Sequence, residues 1–122
     1  MKPKIKILIV DDDDSIRCCL ELFLSRNYDT FVASNGKEGL ELWKSNKAEV
    51  IITDIYMPIM DGNELCRKIR ESDKHCKIFA MSGHNNLLEE LSRMNIGFDE
   101  FINKPFELVM IQTLVEQTVA EF

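Results

Sequence analysis

The chain has 122 residues, 45% of them apolar and 30% charged, and its 15 basic and 21 acidic side chains leave a formal charge of −6. That length fits one domain, spanning 1–122, with a core that needs no disulfide. An acidic balance without a basic cluster excludes direct nucleic-acid binding. The longest apolar runs are a few residues, far below the ~20 that span a bilayer, so no membrane contact is expected. The run after Lys2, Lys4 and Lys6 stops at acids without a small-residue cleavage site, so it is no signal peptide. The expected setting is cytoplasmic. Cys18, Cys19, Cys66 and Cys76 show neither C-x-x-C spacing nor paired histidines, which argues against zinc. In a reducing compartment they are expected to be free and to act as small apolar fillers.

Taken in chain order, the apolar run Ile5 to Val10 predicts a strand buried on both faces. It ends in four consecutive acids, Asp11 to Asp14. Ile16, Leu20, Phe23 and Leu24 then carry helical spacing, with Asp14 or Ser15 as the cap. Thr30 to Ala33 predicts a short strand, broken by Asn35-Gly36, and Leu40 and Trp43 mark a second helix that uses the Trp for packing. Glu49 to Thr53 is a second β-branched run, ending at Asp54. Met57 to Gly62 reads as a loop through Pro58 and Asp61-Gly62, and Leu65 and Ile69 carry a third helix.

Lys77 to Met81 predicts a fourth strand, stopping at Ser82-Gly83. Leu87, Leu88, Leu91 and Met94 form a fourth helical stripe, closed by Gly97. Phe98 to Ile102 predicts a fifth strand. Pro105 suits the first turn of a last helix bearing Leu108, Ile111, Val115 and Val119. Five strands alternating with five helices mean an α/β fold with a parallel sheet covered on both faces. The last helix also carries Val109, Met110 and Leu114 outside its core stripe. That extra apolar width predicts either a partner or homodimer face through Met110 and Leu114, or packing against a neighbouring helix.

Ligands of open parallel sheets bind beyond the carboxyl ends of the strands. The first strand delivers Asp11 and Asp12 there, the third Asp54, the fourth Ser82 and the fifth Lys104. Three carboxylates in one place repel one another unless a cation sits among them. Oxygen ligands without Cys or His favour Mg²⁺, with Mn²⁺ the alternative. A hydroxyl and a compact ammonium suit a phosphoryl group. The chemistry that fits is phosphoryl transfer to a carboxylate. Asp13 and Asp14 read as capping or surface charge, and His75 and His84 as solvated loop residues.

The run ILIVDD at 7–12, the D-x-x-M-P segment from Asp54 to Pro58 with Asp61-Gly62, Ser82, and Lys104-Pro105-Phe106 together resemble the receiver domains of bacterial response regulators. Each motif is short, but four in order along the whole chain are specific. The resemblance implies a flavodoxin-like (βα)5 doubly wound sandwich with strand order 2-1-3-4-5. It implies that Asp54 accepts a phosphoryl group from a phosphohistidine on a sensor histidine kinase. Asp12 and Asp54 would ligate Mg²⁺, Asp11 would act mainly through a bound water, and the Tyr56 backbone carbonyl would complete the shell. Ser82 and Lys104 would hold the phosphoryl oxygens, and Lys104-Pro105 would be a cis peptide.

Phe101 stands where the family keeps its switch aromatic, often a Tyr, although plain core packing would explain it equally. Tyr56 and His84 border the site, where bulk can slow water attack on an acyl phosphate, and Gly83 leaves room for a phosphodonor. The resemblance further implies a phosphorylation-controlled surface on the fourth helix, fifth strand and fifth helix that faces a downstream effector, and no enzymatic turnover of an external substrate. Two rivals remain. One is a receiver-like module that works without phosphorylation. The other is a Mg²⁺-dependent phosphohydrolase with an aspartate nucleophile, for which Asp11-x-Asp13 is a formal match. Whether the domain stands alone or belongs to a longer chain is left open.

Overall fold

The computed structural model describes residues 4–84 and 87–122, with the backbone alone at Leu87 and Leu88. The elements alternate as expected: β1 Lys6–Val10, α1 Asp14–Leu24, β2 Asp29–Ala33, α2 Gly36–Asn46, β3 Val50–Asp54, α3 Gly62–Ser72, β4 Lys77–Ser82, α4 Leu87–Met94, β5 Glu100–Asn103 and α5 Leu108–Val119. All strand pairs are parallel and the sheet order is β2-β1-β3-β4-β5. This is the flavodoxin-like order, and its reversal point lies between β1 and β3.

The continuous apolar strands make sense once both faces are covered. Ile7 and Ile9 point to one side with Val50, Ile52, Phe79 and Met81, where α1 and α5 add Leu20, Leu24, Ile111 and Val115. Leu8 and Val10 point to the other, with Ile51 and Ile78, against Trp43 of α2 and Leu65, Cys66 and Ile69 of α3. Period-2 alternation inside an apolar run is therefore real, but hidden because both phases are buried. A smaller cluster of Ile55, Ala80 and Leu91 lies under α4.

Several local expectations are corrected. The cap of α1 is Asp13, whose carboxylate accepts from the Ser15 and Ile16 amides, so neither Asp14 nor Ser15 fills that role. Helix α4 ends at Met94, and Asn95 takes the left-handed conformation (φ 53°) before Gly97 does (φ 124°). The side chains of Leu87 and Leu88 in the expected stripe lie outside the described residues. Strand β5 starts at Glu100 because the Asp99 carboxylate is already engaged by the Ile78 amide and the Arg70 guanidinium.

Pro105 lies before α5, not in its first turn. It follows the cis Lys104-Pro105 bond, and Glu107 is the residue at the helix N-cap. Cys18 and Cys19 are exposed, since Ile16, Leu20, Phe23 and Leu24 occupy the core face of α1. The filler reading holds for Cys66 and Cys76, where burial pushes the thiols up to about 12 and about 11. Leu114 is half-buried against the core, whereas Met110 and Val109 are 60% and 68% exposed.

Two sets of contacts anchor α3 at opposite edges of the sheet, Arg70 where β4 and β5 begin and Gly62 where β3 ends. Arg70 of α3 donates to the Gly97 carbonyl (2.9 Å), the Cys76 carbonyl (2.7 Å) and the Asp99 carboxylate (2.7 Å), pinning the α4–β5 loop. Gly62, at the start of α3, donates its amide to the Ile55 carbonyl at 2.8 Å. A Cβ at Gly62 would collide with the Asp54 carbonyl oxygen and stand 3.0 Å from Ile55 Cα. Backbone cannot yield there as a flexible side chain could. Gly62→Ala is therefore expected to cost ~1–3 kcal/mol in urea unfolding.

Candidate functional site

The site assembles at the carboxyl ends of β1, β3, β4 and β5. Asp11 leaves β1 fully buried, with its amide on the Ala33 carbonyl of β2 at 3.1 Å. Its carboxylate accepts from the Asp13 amide at 2.9 Å and from Lys104 Nζ at 2.8 Å. Asp12 is exposed at the start of the loop. One carboxylate oxygen from each of Asp11, Asp12 and Asp54 can be chosen so that all lie within 4.8 Å of one another.

The loop that carries the first two acids is held by a residue the sequence reading missed. Arg17 Nη1 donates to the Asp11 carbonyl at 2.7 Å, and its Nη2 pairs with Asp14. The one available sequence signal was its i+3 spacing from Asp14, a weak one on an acidic helix start. Arg17 thus crosses the mouth of the β1–α1 turn and fixes its direction.

Asp54 ends β3. One carboxylate oxygen accepts from the Ile55 amide at 2.9 Å, and the other lies 3.4 Å from Lys104 Nζ. Lys104 follows β5, and its amide donates to the Ser82 carbonyl at 2.9 Å, which joins the ends of β4 and β5. Ser82 is buried, and its hydroxyl accepts from the His84 amide at 3.0 Å. The structure thus brings Asp11, Asp12, Asp54 and Lys104 into one cluster, with Ser82 at the end of the adjoining strand. The Lys104-Pro105 bond is cis.

Charge in this cluster is unbalanced. Burial raises the pKa of Asp54 above its ordinary value, and the Asp11 carboxylate raises it further, against the opposing pull of Lys104. Burial works against the charged form of Lys104, but its bond and charge pairing with Asp11, then Asp54, win, and its pKa is raised. One ammonium therefore serves two carboxylates, buried Asp11 and partly buried Asp54, with a third nearby. Hard oxygen donors with surplus negative charge and no Cys or His are a fitting donor set for a divalent cation such as Mg²⁺.

At the rim, Tyr56 is 54% exposed in the β3–α3 loop. Its ring meets His84 edge-on, with centroids 4.6 Å apart. His84 is exposed in its loop, as expected, and the ring contact with Tyr56 is an addition to that reading. His75 is exposed as expected. Phe101 is half-buried, edge-on to Phe98 at 6.0 Å, and borders a groove against α5 with Met110 and Leu114.

Residues 7–116 match the response regulator receiver domain family. The chain is 33% identical over 105 residues to response regulator MprA of Mycolicibacterium vanbaalenii, covering 85% of this chain and 46% of that protein. It is 37% identical over 109 residues to histidine kinase P4 of Formosa agariphila, covering 88% of this chain and 8% of that protein. The chain thus spans less than half the length of these relatives. A crystal structure of a CheY-like response regulator receiver domain protein from Methanospirillum hungatei superposes with a TM-score of 0.89. The two are 27% identical, with 97% of this chain and 95% of that one covered. Among the described residues no helix is long and apolar enough to cross a membrane.

The buried, crowded carboxylate sets a stability prediction. Because its folded pKa is raised, ionised Asp54 destabilises the fold fully at neutral pH, and the penalty fades as pH falls through that pKa toward the unfolded value near ~3.9. Asp54→Asn is expected to stabilise the metal-free protein at pH 7 on the order of 1 kcal/mol. That advantage should vanish in acid and shrink when Mg²⁺ is added. Urea unfolding at pH 7 and pH 4, with and without Mg²⁺, measures both trends.

Proposed function

Because the chain belongs to the response regulator receiver domain family, we propose that it is a phosphorelay switch whose phosphoacceptor is Asp54. The observation that carries this reading is the sharing of one partly buried ammonium, Lys104, between Asp11 and Asp54 beside a third carboxylate, Asp12. The donor is the phosphohistidine of a sensor histidine kinase or a phosphotransfer protein. A carboxylate oxygen of Asp54 attacks phosphorus, the bond from phosphorus to the imidazole nitrogen breaks, and its electron pair stays on the imidazole. The product is an acyl phosphate carrying ~1.5–2 negative charges.

Asp11, Asp12, Asp54 and the Tyr56 backbone carbonyl would hold Mg²⁺, or Mn²⁺ in its place. The ion would offset charge on the phosphoryl oxygens. Lys104 already stands 3.4 Å from Asp54 and would exchange its bond to Asp11 for one to a phosphoryl oxygen. The Ser82 hydroxyl would turn from accepting the His84 amide to donating toward the same group. With Ser82 drawn inward, Phe101 has room to repack from its half-buried position, which biases the α4–β5–α5 face toward a downstream effector. The Tyr56–His84 ring pair stands at the rim, where it would restrict water approaching the acyl phosphate.

Of the alternatives, the phosphohydrolase loses support because Asp13, the second acid of its D-x-D, is spent capping α1. A module independent of phosphorylation would not need the surplus charge gathered around Asp54. Homodimer formation through Met110 and Leu114 is weakened by the packing of Leu114 on the core.

Acetyl phosphate with Mg²⁺ is expected to add one phosphoryl group, read by intact mass, and Asp54→Asn to add none. Stoichiometric transfer to the Asn variant would overturn the assignment. His84→Gly is expected to leave the acceptor intact and to shorten the acyl-phosphate lifetime several-fold, followed as loss of the added mass over time.

A further inference from the structure

The three acids of the site are not held alike. Asp11 is engaged at every polar atom. Its amide lies on the Ala33 carbonyl at 3.1 Å, and its two carboxylate oxygens take the Asp13 amide at 2.9 Å and Lys104 Nζ at 2.8 Å. Its carbonyl accepts from Arg17 Nη1 at 2.7 Å. Asp54 is fixed by the Ile55 amide at 2.9 Å. Asp12 is exposed, and its carboxylate accepts no hydrogen bond from the described residues. One of its oxygens nevertheless lies within 4.8 Å of an oxygen of each of the other two.

What directs Asp12 is its backbone. The two peptide planes that flank a residue set its direction, because φ and ψ are its only soft backbone torsions. The plane after Asp12 is held by the Asp13 amide on Asp11 Oδ1, and the plane before it by Arg17 Nη1 on the Asp11 carbonyl. Asp13 is locked in turn, since its carboxylate caps α1 and its carbonyl takes the Arg17 amide at 3.1 Å. With both planes fixed, only the side-chain rotamer of Asp12 is left to choose. The Arg17 side chain is 19% exposed, whereas its ion-pair partner Asp14 is 91% exposed. A pair that open contributes little, so the weight of the guanidinium falls on the Asp11 carbonyl.

We infer that Arg17 is a positioning residue of the metal site: by turning the peptide that leads into Asp12, it aims that carboxylate at the position of the cation. Arg17 donates to none of the three carboxylates and supplies no ligand. Its charge works the other way, because a fixed positive charge beside the site repels an arriving cation. Sign therefore separates the two roles. Removing a mere neighbouring charge tightens metal binding, and removing a group that orients a ligand weakens it. The inference rests on the reading of Asp11, Asp12 and Asp54 as a metal site, and asks nothing of the phosphodonor or the effector.

The test uses the full chain without any phosphodonor. Mn²⁺ is the probe, its free ion read by electron paramagnetic resonance, and Mg²⁺ is measured by competition. Arg17→Met keeps the apolar stem and removes every donor, and is expected to weaken both ions about tenfold. Arg17→Ala repeats the loss with a shorter stem, and urea unfolding of each variant confirms that the fold is intact. Asp14→Ala removes only the exposed ion pair and should stay within about twofold of the parent. In an Asp12→Asn background, Arg17→Met should change affinity by less than about twofold, because its effect runs through Asp12. Acetyl phosphate transfer to Arg17→Met should be slow at low Mg²⁺ and return to within about twofold of the parent at saturating Mg²⁺.

Unchanged or tighter Mn²⁺ binding by folded Arg17→Met would overturn the inference and leave the phosphorelay reading standing. So would an equal loss in Asp14→Ala, an undiminished effect in the Asp12→Asn background, or a transfer rate that saturating Mg²⁺ does not restore. A parent chain that binds neither ion would bring down the metal site itself, and the inference with it, so the two readings fail separately.

Discussion

Three carboxylates gathered at one edge of a parallel sheet must be answered by positive charge, and much of the molecule is arranged around how that answer is divided. Asp11 is fully buried and Asp54 partly so, and the positive charge between them is a single ammonium that arrives from the far end of the chain. Lys104 stands 93 residues from Asp11, so their bond closes the sheet's functional edge across β1, β3 and β5. Two acids sharing one base leave one of them poorly compensated, and burial followed by the Asp11 charge raises the pKa of Asp54. The site therefore carries surplus negative charge that suits a cation, at the expense of the fold.

That imbalance is tolerable because the surroundings hold it rigidly. Strands covered on both faces, the Gly62 amide on Ile55, and Arg17 across the β1–α1 turn leave the carboxylates little room to relax apart. The opposite holds toward α4. Among the described side chains, α4 rests on the smallest cluster, Ile55, Ala80 and Leu91, whereas the loop after it is clamped by Arg70 to α3 and the start of β4. A helix with few buried apolar contacts, anchored at its far end, is held less firmly than the rest of the scaffold, which suits the switch proposed above. Phe101, half-buried between that cluster and the α5 groove, is the physical link between the two regions.

The opening net charge also separates into two parts with different physics. Acids at the sheet edge sit within 4.8 Å of one another and meet a buried base. The acids of residues 85–122 include solvated side chains such as Glu89, Glu107, Glu116 and Glu121. Buried charge of the first kind sets proton affinity and metal preference, whereas solvated charge of the second kind sets a long-range field and hence which partners can approach.

By itself the sequence determined the alternation of strands and helices, the acids and lysine that end the strands, and the order of motifs that reveals the family. These are local or periodic signals, carried by β-branched runs, helical stripes and short polar stops. It misplaced the features that depend on contacts between distant residues. Strand β5 begins later than its apolar run because Asp99 is claimed by Arg70 and by the Ile78 amide. Cys18 and Cys19 face solvent because Ile16, Leu20, Phe23 and Leu24 occupy the buried side of α1, which composition does not reveal. Arg17 and the Tyr56–His84 pair matter only through partners brought close by the fold. Periodicity is written along the chain and survives without a structure. The sharing of one ammonium by two carboxylates, and the groove beside Phe101, exist only once the fold brings together residues far apart in sequence.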